Sequence, residues 1–211
     1  MGPGHNPIAP KARGWATHIV DCNTADELRN KFAVGGVTVD AVEEVDTVWH
    51  DGSLHDAVPA RLHGSFRRLI ASHVLEHIPD PVALLNSAAR LLSPDGIVAF
   101  AIPDRRYCFD VFKPASGTGD LLEAFVSRRT RHSVRTTWTQ IAYSATMDGS
   151  IAWGQYPITS VGLIGDFNAA ERAFKGFQDG FWAPYSDCHA WHFTPAGFAL
   201  AILELGQLKL I

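Results

Sequence analysis

The 211-residue chain has only three cysteines, Cys22, Cys108 and Cys188, and no Cys-x-x-Cys pair. That scarcity excludes a disulfide framework and a zinc ribbon, and it fits a reducing, cytoplasmic setting. No apolar run approaches the roughly 20 residues of a membrane span, and no apolar stretch near the start has the form of a secretory signal. The opening MGPGHN has Asn6 where a myristoylation site needs Ser or Thr. No membrane association is therefore expected. Charge of neither sign dominates, since 18 Lys and Arg face 22 Asp and Glu for a net −4. That balance argues against a surface built to coat nucleic acid, although it does not exclude a local basic patch. Internal repeats and low-complexity linkers are missing as well.

What is present is ordinary globular material, 46% hydrophobic and 19% charged. A chain of this length can bury roughly 70% of its unfolded surface, so it needs no covalent or metal staple. After a Gly- and Pro-rich start, "HIVD" (His18–Asp21) reads as a short strand. A helix over "ADELRNKF" follows, capped by Asn23 or Thr24, with acids early and bases late as the helix dipole prefers. Further on, "FRRLIASHVL" reads as a buried strand leading into a loop, with Ser72 and His73 just past the strand, and "IPDPVALLNSAARLLSPDG" as a helix with Pro81 in its first turn and a closing SPDG turn. "IVAFAIP" reads as a second strand, apolar on both faces. Strand, helix and strand in this order form a βαβ unit of a parallel sheet.

Beyond Asp104 the texture changes. Residues 104–135 hold seven Lys and Arg against four Asp and Glu, and a helix is expected with Leu121, Leu122, Phe125 and Val126 on one face. The aromatic- and Gly-rich stretch from Trp138 to Pro184 gives no clear periodicity, and Phe174–Trp182 within it reads as lid or core. "TPAGFALAILELGQL" is a helix with Thr194 as its cap, and the closing "KLI" reads as the start of a strand. The expected division is residues 1–104 as a nucleotide-binding core, 105–187 as a cap for acceptor recognition, and 188–211 as a return to the core.

A GxG loop (Gly2, Gly4) ahead of a strand ending in Asp21 suits a nucleotide: glycines let the backbone approach the ligand, and a strand-tip acid can hold ribose hydroxyls. Pro7 stands where a nicotinamide fingerprint wants Gly or Ala, which makes hydride transfer the poorer expectation. Joined to "ASHVLEHIPDPVALLNSAARLLSPDGIVAF" and the following "IPD", this pattern resembles the class I S-adenosylmethionine-dependent methyltransferases, of the type 11 kind.

The resemblance covers residues 1–104 well and "HAWHFTPAGF" more loosely. It implies a Rossmann-like, doubly wound, mostly parallel α/β sheet and methyl transfer from S-adenosylmethionine, with S-adenosylhomocysteine as product. It also implies cofactor contacts by position: Gly2 and Gly4 on the carboxypropyl-amine and ribose side, Asp21 on the ribose diol, Asp51, Gly52, Ser53 and Leu54 around adenine, and Ser72 and His73 near the sulfonium. Two departures stand out. Arg67 and Arg68 follow Phe66 where the family usually has Asp, and the family's first strand, which precedes the GxG loop, would lie upstream of Met1. The sheet is therefore expected to lack a central strand and a final strand pair, as in an internal start or a trimmed piece.

Other residues keep two readings each. His73, Glu76 and His77 spell H-x-x-E-H, a zinc pattern when both histidines share a helical face, but a strand exit and "IPDP" leave little room for that helix. His77 is read instead as a loop brace, and no metal is expected. His189 is the first candidate for a general base and His73 the second, against packing of His189, Trp191 and His192 in a core. Asp104, Arg106 and Tyr107 follow a strand at the carboxyl edge of the sheet, where they could contact the acceptor or form a surface ion pair. Arg128, Arg129, Arg131 and Arg135 are either a solvated helix face or a site for phosphorylated or carboxylated groups. No Asn/Asp-Pro-Pro-aromatic motif follows the fourth family strand, which argues against methylation of exocyclic base amines. The expected acceptor is a small molecule or a glycan or lipid precursor. Nucleic acid is disfavoured, and a homodimer is among the open oligomeric states. Rival readings are a non-catalytic, partner-binding remnant of the fold and, third, a zinc hydrolase.

Overall fold

The computed structural model describes residues 1–155, 160–181 and 187–211. The chain divides into two compact units, each taken by itself: Met1–Val74 with Ala83–Ala101, and Leu75–Val82 with Ile102–Ile211.

The first unit carries the parallel strands. β1 (Val20–Asp21) pairs with β2 (Thr47–Val48), and β3 (Phe66–Ser72) pairs with β4 (Leu92–Ala101), both in parallel. The two pairs are joined through the opening residues: the Gly2 N–H donates to the Val20 carbonyl at 2.8 Å, and the Met1 nitrogen donates to the Ile70 carbonyl at 2.7 Å. β1 is two residues long, not the four of "HIVD", and Asp46 shows why. Its carboxylate accepts from the Ile19 N–H at 2.7 Å and its own N–H donates to the Ile19 carbonyl at 2.9 Å, so a side chain takes a place in the ladder.

α1 (Ala25–Val34) starts at Thr24 with a full capping box to Glu27. It buries Ala25 and Leu28 against Val42, with Phe32, Val39 and Val45 around them. α2 (Leu54–Ala57) is a single turn. α3 (Pro81–Leu91) begins at Pro81, whose missing N–H would have had no helical partner there.

The SPDG segment resolves differently from a turn placed before the strand. Phe66 pairs with Leu92 and Arg68 with Ile97, so two steps along β3 face five along β4. Residues 93–96 are thus bulged out within the strand. Expected burial on both faces of β4 is corrected too: Ile97 is 60% exposed, and exposure alternates from there to Ala101.

The second unit is mainly helical, with α4 (Thr118–Val126), α5 (Val134–Ala142), α6 (Phe167–Gln178) and α7 (Pro195–Gln207). An antiparallel pair of β5 (Ala145–Met147) and β6 (Val161–Leu163) accompanies them. The core joins Val82, Leu121, Ala124, Trp191, Phe193, Ala201 and Leu205, with Leu122 and Phe125 at its margin. Val126, expected on that face, is exposed. Thr194 caps α7 by accepting from the Gly197 N–H at 3.2 Å. Lys209–Ile211 forms no strand.

α5 and α6 pack together, with the Trp138 and Phe167 rings perpendicular at 5.7 Å. Their connection depends on Gly165, where a Cβ would fall 2.1 Å from the Ala142 carbonyl oxygen. Trp182 and Pro184 lie outside the described residues. No described helix is long and apolar enough to cross a membrane.

Candidate functional site

In the first unit Asp21, Asp51 and Ser72 each lie at or just past the carboxyl end of a parallel strand, the edge where α/β sheets bind ligands. Asp21 ends β1 and is buried, and its Oδ1 accepts from the Asn23 N–H at 3.2 Å. Asp51, Gly52 and Ser53 form the loop after β2. The Trp49 indole holds that loop by donating to the Gly52 carbonyl at 3.2 Å. Ser53 lies 3.1 Å from the Ser87 hydroxyl, while Leu54 points into the core at 1% exposure.

Ser72 ends β3, and His73 follows with its N–H on the Ala101 carbonyl at 2.9 Å. His73 has φ +53°, a left-handed backbone that is strained for a residue with a Cβ and concentrates at functional sites. Gly2 and Gly4 precede β1 with φ +56° and +52°. At Gly2 a Cβ would also fall 2.5 Å from Val74 Cγ2, so this approach needs glycine.

The remaining expected residues lie in the second unit. Asp104 and Arg106 form a bidentate pair, with Nε–Oδ1 at 2.9 Å, and Arg106 sits 5.2 Å from the Tyr107 ring centre. That bond, ahead of the opposing effect of burial, lowers the Asp104 pKa. Arg135 pairs with Asp120 at 3.0 Å and Arg129 lies 3.7 Å from Glu123, so both take part in surface ion pairs. The H-x-x-E-H helix does not form. His73 belongs to the first unit, and Leu75–His77 is a 3-10 turn in the second.

His189 is the most elaborately held of the candidates. It is buried, and its Nδ1 lies 2.7 Å from Asp110 Oδ2. Lys113, with no exposed surface, reaches Asp110 Oδ1 at 2.7 Å and donates to Gln140 Oε1 at 2.6 Å. Gln140 Oε1 also accepts from the His189 N–H at 3.1 Å. Burial alone would raise the Asp110 pKa, but His189 and Lys113 outweigh it and hold the carboxyl well below its usual range.

Burial lowers the Lys113 pKa against the pull of Asp110. Burial, aided by Asp110, pushes the Cys108 thiol up to about 12, so it is no nucleophile. His77 and His189 meet edge to face at 4.6 Å, and His77 Nδ1 lies 3.0 Å from Asp187 Oδ1. Asp110, Lys113 and Gln140 are not among the sequence candidates, because the partners that bring them together lie 27 to 79 residues apart along the chain.

A methyltransferase-domain family model matches residues 1–157. A ubiquinone biosynthesis O-methyltransferase of Burkholderia vietnamiensis is 24% identical over 105 residues, covering 50% of this chain and 43% of that protein. The matched part thus spans less than half of that relative's length. No solved structure matches the chain. With a match that begins at Met1 and runs past all four parallel strands, the chain belongs to the methyltransferase domain family.

Proposed function

We propose that the chain transfers a methyl group from S-adenosylmethionine to an acceptor that is a small molecule or a glycan or lipid precursor. The observation carrying this reading is the buried Asp21 at the tip of β1, in one unit with two left-handed glycines and the loops after β2 and β3. These residues fit the cofactor: Gly2 and Gly4 for its amino-acid side, Asp21 for the ribose diol, Asp51–Leu54 for adenine, Ser72 and His73 for the sulfonium side. Bound there, the cofactor supplies an activated methyl on sulfur. The fold that goes with this reading is a doubly wound sheet with residues 105–187 as a cap.

For the acceptor, Asp104, Arg106 and Tyr107 are proposed contacts, with Arg106 half exposed beside the Tyr107 ring. Proton removal is proposed for His189 first and His73 second. Asp110 supports the first choice, because holding Nδ1 leaves Nε2 as the working nitrogen. An oxygen acceptor is favoured by the likeness to the Burkholderia protein, itself an O-methyltransferase.

Calorimetric titration with S-adenosylhomocysteine tests this reading. Asp21→Ala is expected to weaken binding by about 1–3 kcal/mol, as for a lost hydrogen bond to a charged group, whereas His189→Ala keeps that affinity and loses turnover. Unchanged affinity in Asp21→Ala removes Asp21 from the site. A second reading, a partner-binding domain without catalysis, has one observation in its favour: β1 and β3 are joined through Met1 and Gly2 and not by a ladder of their own. Absence of binding to the cofactor product would support it.

A further inference from the structure

We infer that Glu76, His77 and His189 form a binding site for one divalent first-row metal ion, with zinc the best fit. The three residues each bring one ligand atom, and these atoms lie within 4.8 Å of one another. All three belong to the second unit, so the site is complete within it. Two imidazoles and one carboxylate are a donor set suited to zinc, and three protein ligands leave a further position for an oxygen donor such as water or a hydroxyl.

The surroundings are those of a metal centre. Metal-binding histidines characteristically give their second nitrogen to a carboxylate, which fixes the ring and raises its basicity. His189 does so, with Nδ1 2.7 Å from Asp110 Oδ2, which leaves its Nε2 to offer. His77 Nδ1 lies 3.0 Å from Asp187 Oδ1, an ion-pair distance, and its Nε2 stands 4.0 Å from Glu76 Oε1. Asp110 is anchored in turn by Lys113 at 2.7 Å. Glu76 is fully buried, and its backbone carbonyl accepts from the Ala190 N–H at 2.7 Å, tying the Glu76–His77 turn to the segment that carries His189.

Closing the ligand atoms from 4.8 Å or less to the roughly 3.3 Å edge of a tetrahedron with zinc bonds of 2.0–2.1 Å asks for about 1 Å of side-chain movement. With the ion in place His189 Nε2 takes no proton, and the base role passes to His73.

The test uses the whole chain, stripped with a chelator and titrated with zinc chloride, with bound metal counted after dialysis. One zinc per chain is expected, and cobalt(II) in its place should give visible absorption typical of a low-coordinate nitrogen and oxygen site. Glu76→Gln and His77→Ala are each expected to weaken zinc binding at least tenfold. His77 is partly exposed and its loss leaves the core intact, so that variant keeps the test sound if Glu76→Gln fails to fold. No bound zinc, or zinc held as tightly by His77→Ala, overturns the inference. Neither readout involves methyl transfer, so failure here is distinct from failure of the S-adenosylhomocysteine titration.

Discussion

The two units hold their polar residues in opposite ways. In the first, Asp21 at the end of β1 and Gly52 in the loop after β2 are each fixed by near neighbours in sequence, Asp21 by Asn23 and Gly52 by Trp49. In the second, charge is buried and fixed across long separations, with Asp110 held to His189 and Lys113 to Gln140. Locally held groups can be exchanged with little effect on folding and a large effect on binding. Groups held by distant partners couple folding and chemistry, because removing one leaves the other buried and uncompensated.

The largest contrast to test is Asp110 against Asp21. Asp110→Ala leaves Lys113 buried without its carboxylate and should cost about 3–5 kcal/mol, read by urea denaturation, whereas Asp21→Ala should leave the midpoint nearly unchanged. Similar midpoints for both would erase the distinction. Gly165→Ala comes next: a methyl placed against the Ala142 carbonyl should cost about 1–3 kcal/mol, with the loss confined to the second unit when amide exchange is followed.

Thr24→Ala removes the cap of α1 and should cost about 1 kcal/mol, as a lowered thermal midpoint. Asp46 supplies a pH test in the first unit. Burial would raise its pKa, but the Ile19 N–H and Lys11 outweigh that and lower it. A carboxyl with a folded pKa below its unfolded one binds more protons when unfolded, so its contribution is present above pH of about 4 and fades as pH falls further. Asp46→Asn should therefore be less stable near neutrality and show a shallower loss of stability in acid. Arg135→Ala, at a surface pair, should change stability by less than about 1 kcal/mol.

Legibility in the sequence followed the same division. The cap at Thr24, the start of α3 at Pro81 and the cap at Thr194 are local chemistry, and each forms where the residues place it. The strand ends at Asp21 and Ser72 could be read because apolar runs stop there. The composition of β4 predicts cover on both faces, yet Ile97 is exposed, because composition does not say what packs on a strand. α5, β5, β6 and α6 escaped because their aromatic and glycine content hides the period; Gly165 is required by the neighbouring carbonyl of Ala142, which no spacing announces. The H-x-x-E-H spacing is that of a helical pair of histidines, but the strand exit and "IPDP" leave no room for the helix, and a 3-10 turn stands at Leu75–His77. The second histidine meeting Glu76 comes from more than a hundred residues away, beyond the reach of any motif spacing.

The most direct test of the central claim is titration of the wild-type chain and of Asp21→Ala with S-adenosylhomocysteine under identical conditions. Saturable one-to-one binding is expected of the wild type, weakened roughly 5- to 150-fold by the substitution, the equivalent of about 1–3 kcal/mol. Equal affinity in the two proteins, or no binding by either, would contradict it.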